Sequence, residues 1–381
     1  MSTLRERVEG LCQQATDAGA GTSIVTEVQR ARARLDHPLR VALAGKVKAG
    51  KSTLLNALVG ERLAQTDAGE CTRLVSWYRE GLGYEVEAVL ASGERRALPF
   101  SRDDGELAID LGPLDLDDVA HLDVRWPSAT LRRVTLIDTP GLASTNERAS
   151  LRTIDFLAPD DAPGEADAVV YLMRHLHRHD ADFLETFTDR SLTNASPVNA
   201  IAVLSRADEI GAGRPDAMAT AERIAGRYRQ DPRVRALAST VVPVAGLVAE
   251  TGLTLREDEF ALLRQLARVP AEEHDDLLLS ADRFVEPERT GVLPELRREL
   301  LDRLGLYGVR IAIAAIAAGE VTSGPELARR LVELSGLPRL RDLLEGHFVA
   351  RADALKARSV LAALRALVPA LRLQDAGAAA S

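Results

Sequence analysis

Three lysines, a serine and several small residues form a short motif near the start of the chain. Residues 45–52 read Gly-Lys-Val-Lys-Ala-Gly-Lys-Ser, which fits the phosphate-binding pattern G-x-x-x-x-G-K-S. An apolar run at 41–44 precedes the motif and a helical pattern at 53–58 follows it, as a loop between a strand and a helix requires. Backbone N–H groups of such a loop bind phosphate oxygens, and the helix N-terminus adds partial positive charge. We therefore predict a nucleotide phosphate site made of Gly45, Lys46, Val47, Lys48, Ala49, Gly50, Lys51, Ser52 and Thr53.

A second motif follows a strand pattern at residues 131–138, which ends in Asp138 and continues as Thr-Pro-Gly. An acid at the carboxyl end of a parallel strand beside the phosphate loop is placed to hold Mg²⁺ through water, together with the Ser52 hydroxyl. Lys51 is expected to reach the β- and γ-phosphates. Gly141 lets a backbone N–H approach the γ-phosphate closely, so this turn is predicted to sense that phosphate.

A third motif predicts which base is bound. Residues 199–204 form a buried-strand pattern, and Ser205-Arg206-Ala-Asp208 closes it. The carboxylate of Asp208 would accept hydrogen bonds from N1 and N2 of guanine, a pair of donors that adenine does not offer. The guanidinium of Arg206 would stack over the base. Alternatively, Asp208 caps the next helix, and the chain is then an ATPase.

Two weaker signals complete the predicted site. A switch threonine is needed to complete the Mg²⁺ shell, and Thr72 is our choice because a strand pattern follows it directly; Thr66 is the competing candidate. Another apolar strand at 240–244 is followed by Ala245 and Gly246, which are predicted to cover the base. The predicted Mg²⁺ ligands are Ser52, Thr72 and Asp138.

Taken together, the motifs GKVKAGKS, ECTR, DTPG and LSRADE resemble those of bacterial dynamin-family GTPases, in particular the actinobacterial isoniazid-inducible (Ini-type) group. The resemblance runs through about residues 38–260 and continues more weakly into the helical remainder. It implies an α/β P-loop GTPase domain with a mostly parallel sheet and extra strands between Lys51 and Asp138, for which 84–90 and 121–126 are candidates. It also implies hydrolysis of GTP to GDP, and self-association through the GTPase domain as a dimer or oligomer. A second dynamin-like paralogue is a further candidate partner.

The phosphate loop differs from that of eukaryotic dynamins. In those relatives a polar Gln or Ser in the loop, together with a monovalent cation, organises the attacking water. Val47 and Lys48 occupy those positions here, and Leu142 stands where Ras-type enzymes have their water-positioning Gln. We infer that Lys48 supplies positive charge to the transferring phosphoryl group. The alternative is a solvated lysine that aids binding only. The predicted catalytic residues are therefore Lys48, Lys51, Thr72 and Gly141.

The chain is predicted to have three regions: an N-terminal helical arm at 1–36, a dynamin-type GTPase domain at 37–255, and a C-terminal helical neck at 256–381 with a truncated trunk and a disordered tail. The arm and the neck are expected to pack together. Residues 337–373 are predicted to form one long helix, with one apolar stripe of Leu340, Leu344 and Phe348 and another of Leu364, Val368 and Leu371. An ordinary helical accessory domain is the alternative.

Bulk properties limit the classes of partner. The 381 residues carry a net charge of −9, which argues against a general nucleic-acid binder, and two cysteines fit a reducing compartment. The polar N-terminus predicts no signal peptide, so we predict a cytoplasmic protein. The resemblance adds peripheral association with an anionic membrane surface at the inner face of the plasma membrane. A soluble regulatory GTP switch and a nucleotide-dependent scaffold are the alternatives.

The Lys48 assignment predicts how GTP turnover depends on salt. If the lysine replaces the monovalent cation, the rate will be the same in K⁺ and in Na⁺. Lys48→Ala should lower kcat more than it weakens GTP binding, because the charge acts on the transferring phosphoryl group. Steady-state rates in the two salts measure the first effect, and a strong K⁺ requirement of the wild type would contradict the assignment.

Overall fold

The structure is a computed structural model that describes residues 3–20, 22–64, 74–103, 105–140, 165–174, 198–286 and 290–378. Strands come mainly from the apolar, β-branched runs of the first two thirds of the chain. They are β1 (Leu39–Gly45), β2 (Ser76–Glu80), β3 (Glu85–Leu90), β4 (Arg95–Ala97), β5 (Phe100–Asp103), β6 (Glu106–Ile109), β7 (Val119–Trp126), β8 (Val134–Asp138), β9 (Ala168–Arg174), β10 (Ala200–Ser205) and β11 (Val241–Val244).

Nine of these strands form one mixed sheet in the order β11-β10-β9-β1-β8-β2-β7-β3-β4. From β11 to β8 in that order, every neighbouring pair is parallel. The carboxyl ends of these five strands therefore share one edge of the sheet, where Gly45, Asp138, Ser205 and Val244 end four of them. Such an edge is the usual ligand-binding side of an open α/β sheet.

The extra strands predicted between Lys51 and Asp138 are confirmed. β2 pairs antiparallel with β8, and β7 then adds in parallel to β2. β3 and β4 extend the sheet further through antiparallel pairs. The predicted segments at 84–90 and 121–126 correspond to β3 and β7, while β5 and β6 form a separate hairpin.

Helices dominate the last third of the chain. The helices are α1 (Leu4–Ala18), α2 (Ile24–Ala33), α3 (Lys51–Val59), α4 (Ala217–Gln230), α5 (Pro232–Leu237), α6 (Gly246–Thr254), α7 (Glu257–Leu266), α8 (Ala271–Leu277), α9 (Ala281–Phe284), α10 (Pro294–Ala317), α11 (Gly324–Leu334), α12 (Leu337–Leu343) and α13 (Ala352–Ala378). Within the described ranges, none of them combines the length and the apolar character that crossing a membrane requires.

Alternate residues of β1 face opposite sides of the sheet and enter two different cores. Ala42 and Ala44 belong to the core that the sheet shares with α4, α7, α10 and α11. Val41 and Leu43 belong to the core that it shares with α3 and α12. The helices between residues 257 and 334 thus share one apolar core with the sheet, and α10 and α11 contact α6, the helix that follows β11. The three-part division of the chain, with its boundary at 255/256, stays a prediction.

A third apolar cluster lies outside these two cores and joins the two ends of the chain. Val8 and Cys12 of α1 and Val28 of α2 pack with Ala357 and Val360 of α13. Each helix contributes residues spaced by three or four positions, as an amphipathic helix does. These three helices form a small bundle, which we call the terminal bundle.

The prediction of one long helix at 337–373 is wrong. Helix α12 ends at Leu343, a π-helical turn spans Leu344–Phe348, a 3₁₀ turn spans Val349–Arg351, and α13 begins at Ala352. The physical reason is that the two apolar stripes have different partners: Leu340 and Phe348 are buried in a core under the sheet, whereas Leu364 packs on the terminal bundle. A single straight helix would not bury one stripe in the first core and the other stripe in the second.

Two chain connections join the terminal bundle to the sheet, residues 34–38 and residues 344–351. Lys356 ties α13 to the first of these connections, since its ammonium donates to the carbonyl oxygens of Leu35 at 2.9 Å and His37 at 3.3 Å. The lysine is 8% exposed, so these bonds replace lost hydration.

Removing this link should destabilise the protein. Lys356→Met keeps the apolar stem but leaves two carbonyl oxygens without their charged donor, so the free energy of unfolding should fall by about 2 kcal/mol. Chemical denaturation measures the change. Arg365→Met, an exposed charge on the same helix, is the control and should change stability by less than about 0.5 kcal/mol. Equal effects of the two substitutions would contradict the role of Lys356.

Candidate nucleotide-binding site

The predicted phosphate loop connects the end of β1 to the start of α3, as the motif requires. Gly45 has no room for a side chain, because a Cβ there would lie 2.6 Å from the carbonyl oxygen of Leu172. Gly50 is the N-cap of α3 with φ of 86°, a left-handed conformation that favours glycine. Lys48 adopts φ of 59°, although it carries a side chain. The loop thus holds an unfavourable backbone conformation of the kind found at ligand-binding sites.

Lys51 and Asp138 lie under this loop and each affects the ionisation of the other. Lys51 is only 8% exposed and donates to the carbonyl oxygen of Lys46 at 3.4 Å. Burial lowers the pKa of Lys51, and the charge of Asp138 partly opposes that change. Burial also raises the pKa of Asp138, against the opposing effects of Lys51 and Ser52. Without a ligand, the charged forms of both groups are therefore disfavoured.

The polar atoms beside Lys51 fit the donor set of a magnesium ion. The Ser52 hydroxyl donates to Oδ2 of Asp138 at 2.8 Å, so the two predicted ligands are in contact. Oδ1 of Asp138 is buried and has no hydrogen-bond partner among the described residues. A hydroxyl and a carboxylate are hard oxygen ligands of the type that Mg²⁺ takes. Thr72, its competitor Thr66, and Gly141 lie outside the described residues.

A cavity of about 190 Å³ adjoins the phosphate loop on the β10 side. Three predicted residues of the base site line it, namely Ser205, Arg206 and Asp208, and Gly246 lines it from the start of α6. Gly50 and Thr53 of the predicted phosphate site line the same cavity. The phosphate and base halves of the predicted site therefore open into one cleft.

Asp208 lies in a short 3₁₀ turn, Ala207–Glu209, directly after β10. The residue is 5% exposed, and burial raises the pKa of its carboxyl to about 6. The next helix, α4, has Asp216 at its N-cap, so Asp208 does not cap it. Arg206 has φ of 51° and donates to the Glu209 carboxylate at 2.5 Å, and Ser205 donates to the Met173 carbonyl at 2.9 Å.

The other residues of the predicted site differ in how exposed they are and in what they contact. Val47 and Lys48 are exposed on the outside of the loop, and Lys46 is half-buried. Ala49 lines the cavity. Ala245 is buried and its N–H donates to the Ser335 carbonyl at 2.9 Å, so its link to the base is through the adjacent Gly246.

The sequence interpretation missed that α10 lies beside the base site. A Cβ at Gly305 would be 3.4 Å from Oδ2 of Asp208, and this glycine interrupts α10 with φ of 64° and ψ of 169°. A second, larger cavity of about 680 Å³ lies between Asp208 and α10. Two glycines within an otherwise helical pattern, Gly305 and Gly308, were the available signal.

Comparisons with known proteins agree with this geometry. The sequence model of the Dynamin family matches residues 41–204. Isoniazid-induced protein IniC of Mycobacterium tuberculosis is 43% identical over 348 residues, which is 91% of this chain and 70% of IniC. The chain belongs to the Ini-type bacterial dynamin-like proteins. It is therefore a dynamin-like GTPase by family.

More distant relatives of this dynamin-like chain share less of its length. Isoniazid-induced protein IniA of M. tuberculosis is 28% identical over 288 residues, covering 72% of this chain and 41% of IniA. A solved structure described as an oligomerised bacterial dynamin pair is 16% identical, with a TM-score of 0.41, and the match covers 74% of this chain and 49% of that one.

The raised pKa of Asp208 predicts a pH dependence of guanine-nucleotide binding. Above pH 6 the carboxylate is ionised and accepts from guanine N1 and N2, whereas below pH 6 it is protonated and must first lose its proton. GTP affinity should therefore fall about tenfold per pH unit below that value. Binding titrations with GTP between pH 5 and 8 measure this change in affinity. Asp208→Asn is the control, since it leaves only the titration of the nucleotide phosphates; an equal slope in both proteins would contradict the prediction.

Proposed function

We propose that this chain binds GTP with Mg²⁺ and hydrolyses it to GDP and phosphate. In this proposal, self-association through the GTPase domain is coupled to movement of a helical neck. Peripheral association with an anionic membrane surface, or its remodelling, is the process that the cycle serves. The observation that carries the proposal is the single cleft that Gly50 and Thr53 of the phosphate site line together with Asp208. Ser52, which adjoins these two residues in the chain, is hydrogen-bonded to Asp138.

The residues of the cleft have separate roles in this proposal. Backbone N–H groups of 45–52 and the charge of Lys51 bind the phosphates. Ser52 and Asp138 would hold Mg²⁺, which would supply positive charge to the nucleotide phosphates. Asp208 selects guanine. Nucleotide phosphates would raise the pKa of Lys51, because their negative charge opposes the effect of burial on its ammonium.

Lys48 is proposed to act on the phosphoryl group during transfer. Its backbone is left-handed, with φ of 59°, and its side chain is exposed on the loop. An exposed lysine in this position is free to fold over a bound phosphate. Its charge would then lie where negative charge develops in the transition state.

The terminal bundle is the part of the chain that we propose to move as the neck. It has its own apolar cluster and is joined to the sheet through residues 34–38 and 344–351. The second connection is a π turn followed by a 3₁₀ turn, and irregular helical turns of this kind are frequent at hinges. The ammonium of Lys356 in α13 is bonded to the first connection, so a change of angle between α13 and residues 35–37 requires these hydrogen bonds to rearrange.

Membrane contact is proposed to be peripheral and dependent on self-association. The net charge of −9 opposes binding to anionic lipid, and each uncompensated arginine contributes only about 1 kcal/mol near such a surface. One copy would therefore bind weakly and in a salt-sensitive way. Several copies, joined through their GTPase domains, would bind more tightly through multivalency.

The test measures GTP turnover per protomer, and the size of the protein in solution, over a range of protein concentrations. Turnover should require Mg²⁺, rise with concentration, and vanish in Lys51→Ala, because the phosphates lose their buried charge partner. Anionic liposomes should raise turnover at low salt, whereas neutral liposomes of the same size serve as the control.

Other results would favour the alternatives. Tight nucleotide binding with a low rate that does not depend on concentration would identify a regulatory switch. Nucleotide binding by the folded wild type without turnover under any of these conditions would contradict the hydrolase proposal and favour a scaffold.

A further inference from the structure

The loop that carries Asp208 holds several residues in the left-handed backbone region. Arg206, Gly211, Ala212 and Gly213 have φ values of 51°, 64°, 58° and 68°. Two of these residues carry side chains, for which this conformation is unfavourable. Such a conformation persists where the surrounding structure fixes it. The shape of the 206–213 loop therefore depends on contacts from elsewhere in the protein.

Arg310 of α10 supplies contacts at the end of this loop. Its Nη1 donates to the carbonyl oxygens of Ala212, at 2.9 Å, and Gly213. The other side of the same guanidinium donates to Leu278, with Nε at 3.0 Å, and to Leu279 at 3.2 Å. The planar, forked cation thus joins the loop to the segment between α8 and α9. A lysine, with a single nitrogen, does not reproduce this bridge.

The backbone of α10 is also shaped to reach the loop. The break at Gly305 brings the helix next to Asp208, where a Cβ at Gly305 would lie 3.4 Å from the carboxylate Oδ2. A Cβ at Gly213 would lie 3.1 Å from the backbone nitrogen of Tyr307. The segment from Gly305 to Arg310 therefore contacts the loop both beside the carboxylate and at its far end.

We propose that Arg310 is a positioning residue for guanine recognition: it fixes the 206–213 loop so that the Asp208 carboxylate faces N1 and N2 of the base. The inference rests on the proposed function. Hydrogen bonds weaken steeply when their angles deviate, so a displaced carboxylate loses selectivity for the base. The phosphate contacts at 45–53 come from another part of the cleft and would remain.

The test compares the dissociation constants of GTP and ITP in the presence of Mg²⁺. The two nucleotides differ by the 2-amino group, so their ratio reports the second hydrogen bond to Asp208. The wild type should prefer GTP by about tenfold, and Arg310→Met should bring this preference close to unity. Arg310→Lys should give an intermediate ratio, because one charged donor group remains.

Arg303→Met is the matched control on the same helix. Arg303 donates to the Glu259 carboxylate at 2.8 Å and to Thr254, away from the loop, so its loss should leave the GTP to ITP ratio unchanged. A merely structural role for Arg310 would weaken both nucleotides equally. Such an unchanged ratio in folded Arg310→Met would overturn the inference and leave the guanine site in place.

Two further outcomes are decisive. If the wild type shows no preference for GTP over ITP or ATP, the proposed guanine site itself is wrong. If Arg310→Met does not fold, Gly213→Ala tests the same contact from the loop side, since its Cβ would press on the Tyr307 backbone. A wild-type ratio in Gly213→Ala would likewise overturn the inference.

Discussion

A lysine and an aspartate under the phosphate loop are the constraint on which the cleft depends. Burial disfavours the charged form of Lys51 and of Asp138 in the protein without nucleotide. Burying a charge without a partner costs several kcal/mol, so each of these groups gains from a partner of opposite charge. The fold keeps them because five parallel strands end at one edge and leave a gap over their carboxyl ends. Nucleotide binding is therefore coupled to the ionisation of groups that the fold has already placed.

The same edge explains why base recognition involves the C-terminal helices. Asp208 follows β10, two strands away from β1, and its turn contacts α10 and α4 as well as β11. Helices α10 and α11 share a core with the sheet, whereas α13 enters the other sheet core only at its start, through Leu355, and packs in the terminal bundle from Ala357 onward. A change at the base site can thus reach α10 directly, whereas the terminal bundle is farther along the chain and is tied to residues 35–37 by Lys356.

The sequence was sufficient to predict the elements that are determined by residues close together in the chain. The glycines and lysines of 45–52, the acid at Asp138 and the acid at Asp208 each follow an apolar strand pattern, and those patterns became β1, β8 and β10. The long helix at 337–373 was wrong for the opposite reason. Its periodicity is continuous, but Phe348 is buried in a core of the sheet while Leu364 packs against the cluster of the terminal bundle, and periodicity does not reveal which core a stripe enters.

Residues that act across long sequence separations were not predictable. Arg310 lies about one hundred positions after the loop that it contacts, and its partners are carbonyl oxygens, which every residue carries. Gly305 reads as a weak helix position until its neighbour Asp208 is known. The roles of Thr72 and Gly141 stay predictions, because both lie outside the described residues.

The central claim is that one cleft binds both the phosphates and the base. The nucleotide preference of an Asp208 variant tests this claim most directly. The measurement is the specificity constant, kcat/KM, for GTP and XTP in the wild type and in Asp208→Asn. Xanthine has an oxygen at position 2, so it accepts a hydrogen bond from the amide that the variant introduces. The account predicts that the wild type prefers GTP and that Asp208→Asn prefers XTP with similar kcat. A wild type that uses ATP and GTP equally, or a folded variant that keeps the wild-type preference, would contradict it.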